Sequence, residues 1–285
     1  MSSISTQHQH QQRRRGGVVR PDGRLKDGVL RPLGCEMSCL SQADGSALWK
    51  CGGTHVLGAV YGPVAPQNQT KEHGSRAVLS IIIKSGNGNS GGGGGSGDNE
   101  FFESQYEMSD FLHRTLSCCI DIERYPRCVI EIVLQIVQSD GSVLGALLHA
   151  AVAALMDGGI DLLYLPVATT CLVLVGDDDT SNGGEENGNV SDTIVRTVIR
   201  LDPTSEEEED GDCDSSLLVL VTKQPDDLEN SSSIIGSHTV GPGISVNDML
   251  SCMNVASKAS KAIAAFWRLA VEQKLTRESQ TLWSK

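Results

Sequence analysis

The chain has 285 residues, 39% of them hydrophobic, which suits one large domain or two small ones with a real core. Aromatic residues are 4%, so that core is expected to be aliphatic, built from Val, Ile, Leu and Ala. The formal net charge is −13, but residues 177–229 hold 17 acids against 3 bases while the remainder holds 19 against 20. The body is therefore near neutral, and the acidic total does not exclude a nucleic-acid partner.

No apolar run reaches ~18 residues, so no membrane span is expected. The N-terminus lacks the apolar core of a secretory signal. The nine cysteines form no CxxC pair, which favours buried reduced thiols over a zinc site.

Residues 1–25 read as a disordered basic tail: the first twenty contain no acid, and Arg13, Arg14 and Arg15 form a candidate nuclear or RNA-contacting patch. "SALWKC" and "THVLGAVYG" read as paired strands about a Gly52–Gly53 turn. "AVLSIIIK" is a third strand, and its isoleucine run predicts burial on both faces. Residues 85–100 are glycine-rich and read as a flexible insertion; 177–192 read as a second.

A helix follows in "SQYEMSDFLHRTLSCCIDI", with Met108, Phe111, Leu112 and Leu116 on one face. "CVIEIVLQIVQ" alternates as a strand does and ends in a turn at "SDGS". "VLGALLHAAVAALMDGG" is apolar almost all round, which predicts a buried helix ending at Gly158–Gly159. Its small residues, among them Gly145, Ala146, Ala150 and Ala154, allow close approach to a sheet. Strands follow at "VATTCLVLVG", "TVIRLD" and "SLLVLVTK". A C-terminal amphipathic helix runs from near "SVNDML" through "AAFWRLAVEQKL", leaving 276–285 as a tail. Strand groups alternating with single helices predict an α/β (α+β) fold with a mixed sheet.

In "LDPTSEEEEDGDCD", from Leu201 to Asp214, eight of fourteen residues are acids. Such a run is either a solvated loop or a site that holds a proton or a divalent metal. Read as a site, it would fix Asp214 in a cleft and point Glu206, Glu207 and Glu209 into solvent. His55, His113 and His149 show no defensible metal or catalytic-triad spacing and read as ordinary histidines.

Several blocks, in order, resemble the ribonuclease PH family. They are "LRPLGCEMSCLSQADGSALWKCGGTHVLGAVYGP", "HRTLSCCIDIERYPRCVIEIVLQIVQSDGSVLGALLHAAVAALMDGGI" and "LDPTSEEEED". The resemblance implies one ribonuclease PH-like domain over 26–275, of the ribosomal protein S5 domain 2-like type. "LRPL", "VYGPV" and "LDPTSEEE" are most similar to the small ring subunits of the eukaryotic RNA exosome.

Active relatives degrade RNA from its 3′ end, with inorganic phosphate as the attacking group. The resemblance places phosphate at the turn before the buried helix, where Ser142 remains. Val143 and Leu144 stand where the family carries Thr and Arg. A second family arginine, just before the first helix, is matched by Phe102-Glu103-Ser104, so both phosphate-binding guanidiniums are missing. The family's two carboxylates fall at Glu208, with Asp210 as a nearby substitute, and at Asp214. Gly53 stands where relatives often have Asp.

Arg76, Lys84, Arg114, Arg124 and Arg127 are candidates for RNA contact. The implied function is a non-catalytic or weakly catalytic ring subunit in the nucleus, nucleolus and cytoplasm. It would have other ribonuclease PH-like subunits, cap subunits and single-stranded RNA as partners, and no cofactor. Two alternatives stay open. One is a hydrolytic nuclease acting on RNA or single-stranded DNA through Glu208, Asp210 and Asp214, with Mg²⁺ or Mn²⁺ on Asp210 and Asp214. The other is a nucleic-acid-binding homodimer.

Overall fold

The computed structural model describes residues 20–66, 72–85, 96–176, 196–209, 215–223 and 233–283. In chain order the strands are β1 Leu33–Met37, β2 Gly45–Cys51, β3 Thr54–Val64, β4 Val78–Ser85, β5 Val129–Gln138, β6 Pro166–Gly176, β7 Arg196–Leu201, β8 Ser216–Lys223 and β9 Ser233–Val240. The helices are α1 Ser96–Cys119, α2 Val143–Asp157, α3 Ser205–Glu209 and α4 Val246–Trp283.

The strands form two sheets. The first has the order β1-β2-β3-β5-β4, and the second β7-β6-β8-β9. In the first, β4 and β5 run parallel and the other pairs antiparallel, so that sheet is mixed. The second is antiparallel throughout. The expected hairpin forms: β2 and β3 meet through Gly52 and Gly53, with Cys51 opposite Thr54, and Gly52 has φ +55°, a value most side chains avoid.

Helix α2 lies between the sheets, against β2 and β3 on one side and β6 on the other. Every residue from Leu144 to Leu155 is buried, as its all-round apolar pattern predicts. Its small residues let backbone meet backbone: a Cβ on Gly58 would lie 2.7 Å from the Ala150 carbonyl oxygen, and one on Gly45 2.3 Å from that of Ala154. Helix α4 packs on β6 through Cys252, Ala256 and Ala259.

The core departs from the aliphatic expectation. Trp49 and Trp267 are its largest fully buried side chains, stacked with ring centroids 4.8 Å apart, and His149 lies 4.7 Å from Trp49. Few aromatics in the chain does not mean few in the core, because a large ring buries more area than any aliphatic side chain.

Other boundaries move. Strand β4 is not buried on both faces. It is the edge of its sheet, and among the described residues α1 is the helix that packs on it, while Ile82 is exposed. Helix α1 begins at Ser96, within the segment read as insertion, and therefore contains Phe102-Glu103-Ser104 instead of following them. Helix α4 continues to Trp283, through most of the segment read as a tail. Strand β9, Ser233–Val240, has no counterpart in the sequence reading, because "SIIGSHTV" mixes Gly, Ser and His with its apolar residues. Residues 1–19, 86–95 and 177–195, which include Arg13–Arg15 and most of both expected insertions, lie outside the described residues.

The cysteines described are all free thiols; Cys51, Cys119, Cys171 and Cys252 are buried, whereas Cys39 and Cys118 are exposed. No helix among the described residues is long and apolar enough to cross a membrane.

Candidate functional site

Strand β5 delivers the chain to the turn Asp140–Ser142, where Gly141 (φ +72°) and Ser142 (φ +52°) are both left-handed and aim the start of α2 at the segment after β7. The turn is tied from two sides. Thr54 at the start of β3 donates its hydroxyl to the Gly141 carbonyl (2.7 Å), and its oxygen accepts the Asp140 N–H (3.0 Å). From the other side, Ser205 donates its hydroxyl to Asp140 (3.1 Å), and Ser142 donates its own to the Pro203 carbonyl (3.1 Å). A Cβ on Gly141 would lie 2.5 Å from the Pro203 oxygen, so the two segments touch through their backbones.

Of the acidic stretch, Ser205–Glu209 is a short helix, and Asp210 and Asp214 lie outside the described residues. Successive residues of α3 diverge. Glu208 turns toward α2, and its Oε1 accepts the Ser142 backbone N–H at 2.8 Å. Burial raises its carboxyl above the ordinary value despite that bond. Glu207 turns the other way and is buried, contrary to the expectation that it faces solvent. Glu206 and Glu209 are exposed, as expected.

Glu207 is held by Arg20, which donates Nε to Oε1 (2.9 Å) and Nη2 to Oε2 (2.6 Å) with both side chains almost fully buried. Arg20 also donates to the Leu201 carbonyl at 2.8 Å. Beside it, Arg24 donates to the Asp202 carbonyl (2.8 Å), and Arg31 donates Nη2 to the Asp202 carboxylate (2.7 Å) and its backbone N–H to the other oxygen (3.0 Å). Arg31 bonds the Asp140 carbonyl as well. Burial works to raise the Asp202 and Glu207 carboxyls, but the arginines and backbone donors outweigh it, and both titrate below their ordinary values.

These arginines correct the tail boundary. Residues 20–25 belong to the fold, because Arg20 is a central member of its buried ion cluster. Sequence reasoning missed the cluster since Arg20 and Glu207 are 187 residues apart, with no periodic signal to link them. The one trace is that Arg31 lies in the "LRPL" block.

Between α1, the start of α2 and the strands β8 and β9 lies a cleft of about 400 Å³. Met108, Val143, Leu144, Leu217, Val219 and Val240 supply apolar walls, with Ser142, Glu107, Glu208 and His238 among the polar lining. No Arg or Lys lines it among the described residues. Val143 and Leu144 are wall residues, as their apolar character suggests.

The basic candidates do not converge there. Arg76 and Arg127 sit near the starts of the parallel strands β4 and β5, while Lys84 is near the far end of β4, about 20 Å away by strand rise. All three are exposed, as is Arg114. Arg114 pairs with Asp110, Arg124 with Asp161 and Arg127 with Glu72. Lys84 shares its end of the sheet with the cleft, since β5 leads from that end into α2.

Of the histidines, His149 is buried and its Nε2 accepts the Ala168 N–H at 3.1 Å. Burial pushes its pKa down to about 4, so it is a neutral core residue, as read from sequence. A Cβ on Gly53 would lie 2.6 Å from the Asp140 carboxylate, so that turn has no room for the aspartate of relatives unless Asp140 moves. Among the described residues no group of three or more His, Cys, Asp or Glu is placed to hold a metal ion.

Comparison with known proteins supports the same frame. Residues 29–161 match the family model described as the 3′ exoribonuclease family, domain 1. The chain is 30% identical to the exosome complex exonuclease RRP46 homolog of Arabidopsis thaliana, over 90% of this chain and 97% of that protein. The crystal structure of rice (Oryza sativa) Rrp46 superposes with a TM-score of 0.68 at 29% identity, covering 89% of this chain and all of that one. An archaeal exosome core chain shares the fold, with a TM-score of 0.59 at 18% identity over 91% of this chain and 92% of that one. Two sheets around a buried helix and near full-length similarity to a relative agree: the chain belongs to the ribonuclease PH family.

Proposed function

We propose that the chain is a ring subunit of the RNA exosome whose part in 3′-to-5′ RNA degradation and ribosomal RNA processing is architectural. Near full-length similarity to the plant RRP46 homolog supports the assignment to that assembly. One observation carries the architectural reading: the start of α2 presents Val143 and Leu144 to the cleft and holds the carboxylate of Glu208 instead of a cation.

Phosphorolysis gathers two anions, phosphate and the RNA 3′ linkage, and needs charge-assisted donors to do so. Each such bond contributes roughly 1.5–3 kcal/mol, so two missing arginines weaken phosphate binding by about two to four orders of magnitude. In this reading the subunit pairs with other ribonuclease PH-like subunits, closes a six-membered ring beneath cap subunits, and helps line a channel for single-stranded RNA. It needs no cofactor, and it works in the nucleus, nucleolus and cytoplasm.

Two measurements test this. Incubated with single-stranded RNA, Mg²⁺ and phosphate, the purified chain is expected to release no nucleoside diphosphate above background. Mixed with candidate ring subunits, it is expected to enter a heteromeric complex by native mass. Release at a rate near that of a phosphorolytic relative overturns the architectural reading, and a chain that only self-associates overturns the ring assignment.

A further inference from the structure

Arg114, Arg124 and Arg127 are exposed bases, and each pairs with an acid, Asp110, Asp161 and Glu72 in turn. Helix α4 is different. From 249 to 271 it carries three bases and no acid, in a chain whose formal net charge is −13. The three are Lys258, Lys261 and Arg268, and all are exposed. No ion pair reaches any of them among the described residues.

Helical geometry puts them on one face. At about 100° per residue they fall within about 80° of one another around the axis, and the row from Lys258 to Arg268 is about 15 Å long. Ala262 and Ala265 are exposed between them, so no bulky side chain stands over the row. The opposite face of α4, through Cys252, Ala256, Ala259, Ile263 and Trp267, is buried in the core. That burial fixes the rotation of the helix and keeps the bases outward. An ordinary solvated helix face balances its bases with acids three or four positions away. Around Lys258 and Lys261, positions 254, 255, 257, 262, 264 and 265 are all uncharged. Glu272, one turn beyond Arg268, is the first acid and ends the row.

A protein partner on this face would need apolar side chains to bury at its centre, and alanines offer little. A polyanion needs only the charges, because each cation that neutralises a phosphate releases a counterion. No exposed aromatic stands in the row to stack a base, so the contact suits a backbone and not a base sequence. We propose that Lys258, Lys261 and Arg268 form a binding site on α4 for the phosphate backbone of single-stranded RNA. The choice of RNA among polyanions rests on the exosome reading. The site lies apart from the cleft, which no residue of α4 lines among the described residues.

The test is fluorescence anisotropy of labelled oligouridine with the full chain over a range of KCl, beside labelled polyglutamate as a second polyanion. The variant is Lys258→Gln, Lys261→Gln, Arg268→Gln. The control, Arg114→Gln, Arg124→Gln, Arg127→Gln, removes the same net charge from bases that already have acidic partners. Far-UV circular dichroism checks that each is folded. Three phosphates contacted on a single strand contribute about −2 to the slope of log affinity against log salt. The α4 variant is therefore expected to lose about two units of slope and about tenfold or more in affinity at low salt, and the control much less. No binding by the parent, unchanged binding by the α4 variant, or an equal loss in the control overturns the proposal. So does polyglutamate that binds as tightly as RNA through the same three residues, since the site would then be one for an acidic peptide. None of these results bears on ring assembly, which the native mass of the α4 variant with ring subunits reads separately.

Discussion

Glu207 and Glu208 are consecutive residues of one short helix, yet they sit in opposite electrostatic settings. Glu207 points into the N-terminal clasp, where Arg20 meets it with a two-pronged hydrogen bond and Arg200 lies 3.5 Å away. Glu208 points into the cleft, where its carboxylate accepts the Ser142 backbone N–H. Both are taken from water, but only Glu207 is hydrogen-bonded by a guanidinium, and their carboxyls shift in opposite directions: Glu207 below its ordinary value, Glu208 above. The difference shows that an acidic run is not one feature. A step of about 100° per residue around a helix sends adjacent carboxylates to different surroundings.

The sharpest way to break this comparison is to remove the guanidinium. Arg20→Met leaves buried Glu207 only the longer contacts to Arg200 (3.5 Å) and Arg24 (3.8 Å), and a loss of about 3 kcal/mol is expected from urea unfolding, the low end of what removing one member of a buried pair costs. The double variant Arg20→Met, Glu207→Met should recover much of it, because no uncompensated charge remains. A truncation starting at Leu25 should behave like the single variant. If Arg20→Met instead costs less than about 0.5 kcal/mol, the value usual for a surface position, the clasp does not hold in solution.

The clasp also predicts a direction with pH. Asp202 and Glu207 have lowered folded values, so their contribution is present above the ordinary carboxyl range and is lost as pH falls through the folded values. His149 adds to this from a higher pH. It stays neutral in the fold down to about 4 while the unfolded chain protonates it from about 6.5, so stability falls across that window. Urea midpoints measured from pH 7 to pH 3 should fall throughout, and a decline of about 1–3 kcal/mol by pH 4 is expected. A flat profile would contradict both arginine pairing and the burial of His149.

The smallest expected effect is at Glu208. Its folded value is raised, so its ionised form is disfavoured relative to the unfolded chain, and the cost appears as pH rises through the folded value. Glu208→Gln should therefore match or exceed the parent at pH 7 by about 1 kcal/mol or less, with the gain vanishing below the carboxyl range. A clear loss at pH 7 would mean that the carboxylate is held by more than the Ser142 N–H.

How much was legible depended on whether the signal was local. The hairpin at Gly52–Gly53, the alternation of β5 and the apolar α2 each carry their own periodicity, so they can be read without a partner. Strand β9 carries none. The face burial of β4 was misread because an isoleucine run cannot report whether its strand is central or at an edge. In the site, Ser142, Val143, Leu144 and Glu208 were readable from their order beside the family's blocks. What Glu208 touches was not.

From the sequence alone came the α/β succession, the confinement of negative charge to one region, and the absence of arginine at the start of α2. These are properties of residue order and count. The tertiary structure decided that Arg20 is part of the fold, that Glu207 is buried, that Trp49 and Trp267 stack in the core, and that Glu208 fills the α2 seat. Each of these joins residues from distant parts of the chain, and their pairing depends on how two sheets close around one helix. A hydrogen bond or an ion pair is fixed by distance and direction in space, and the linear pattern contains neither.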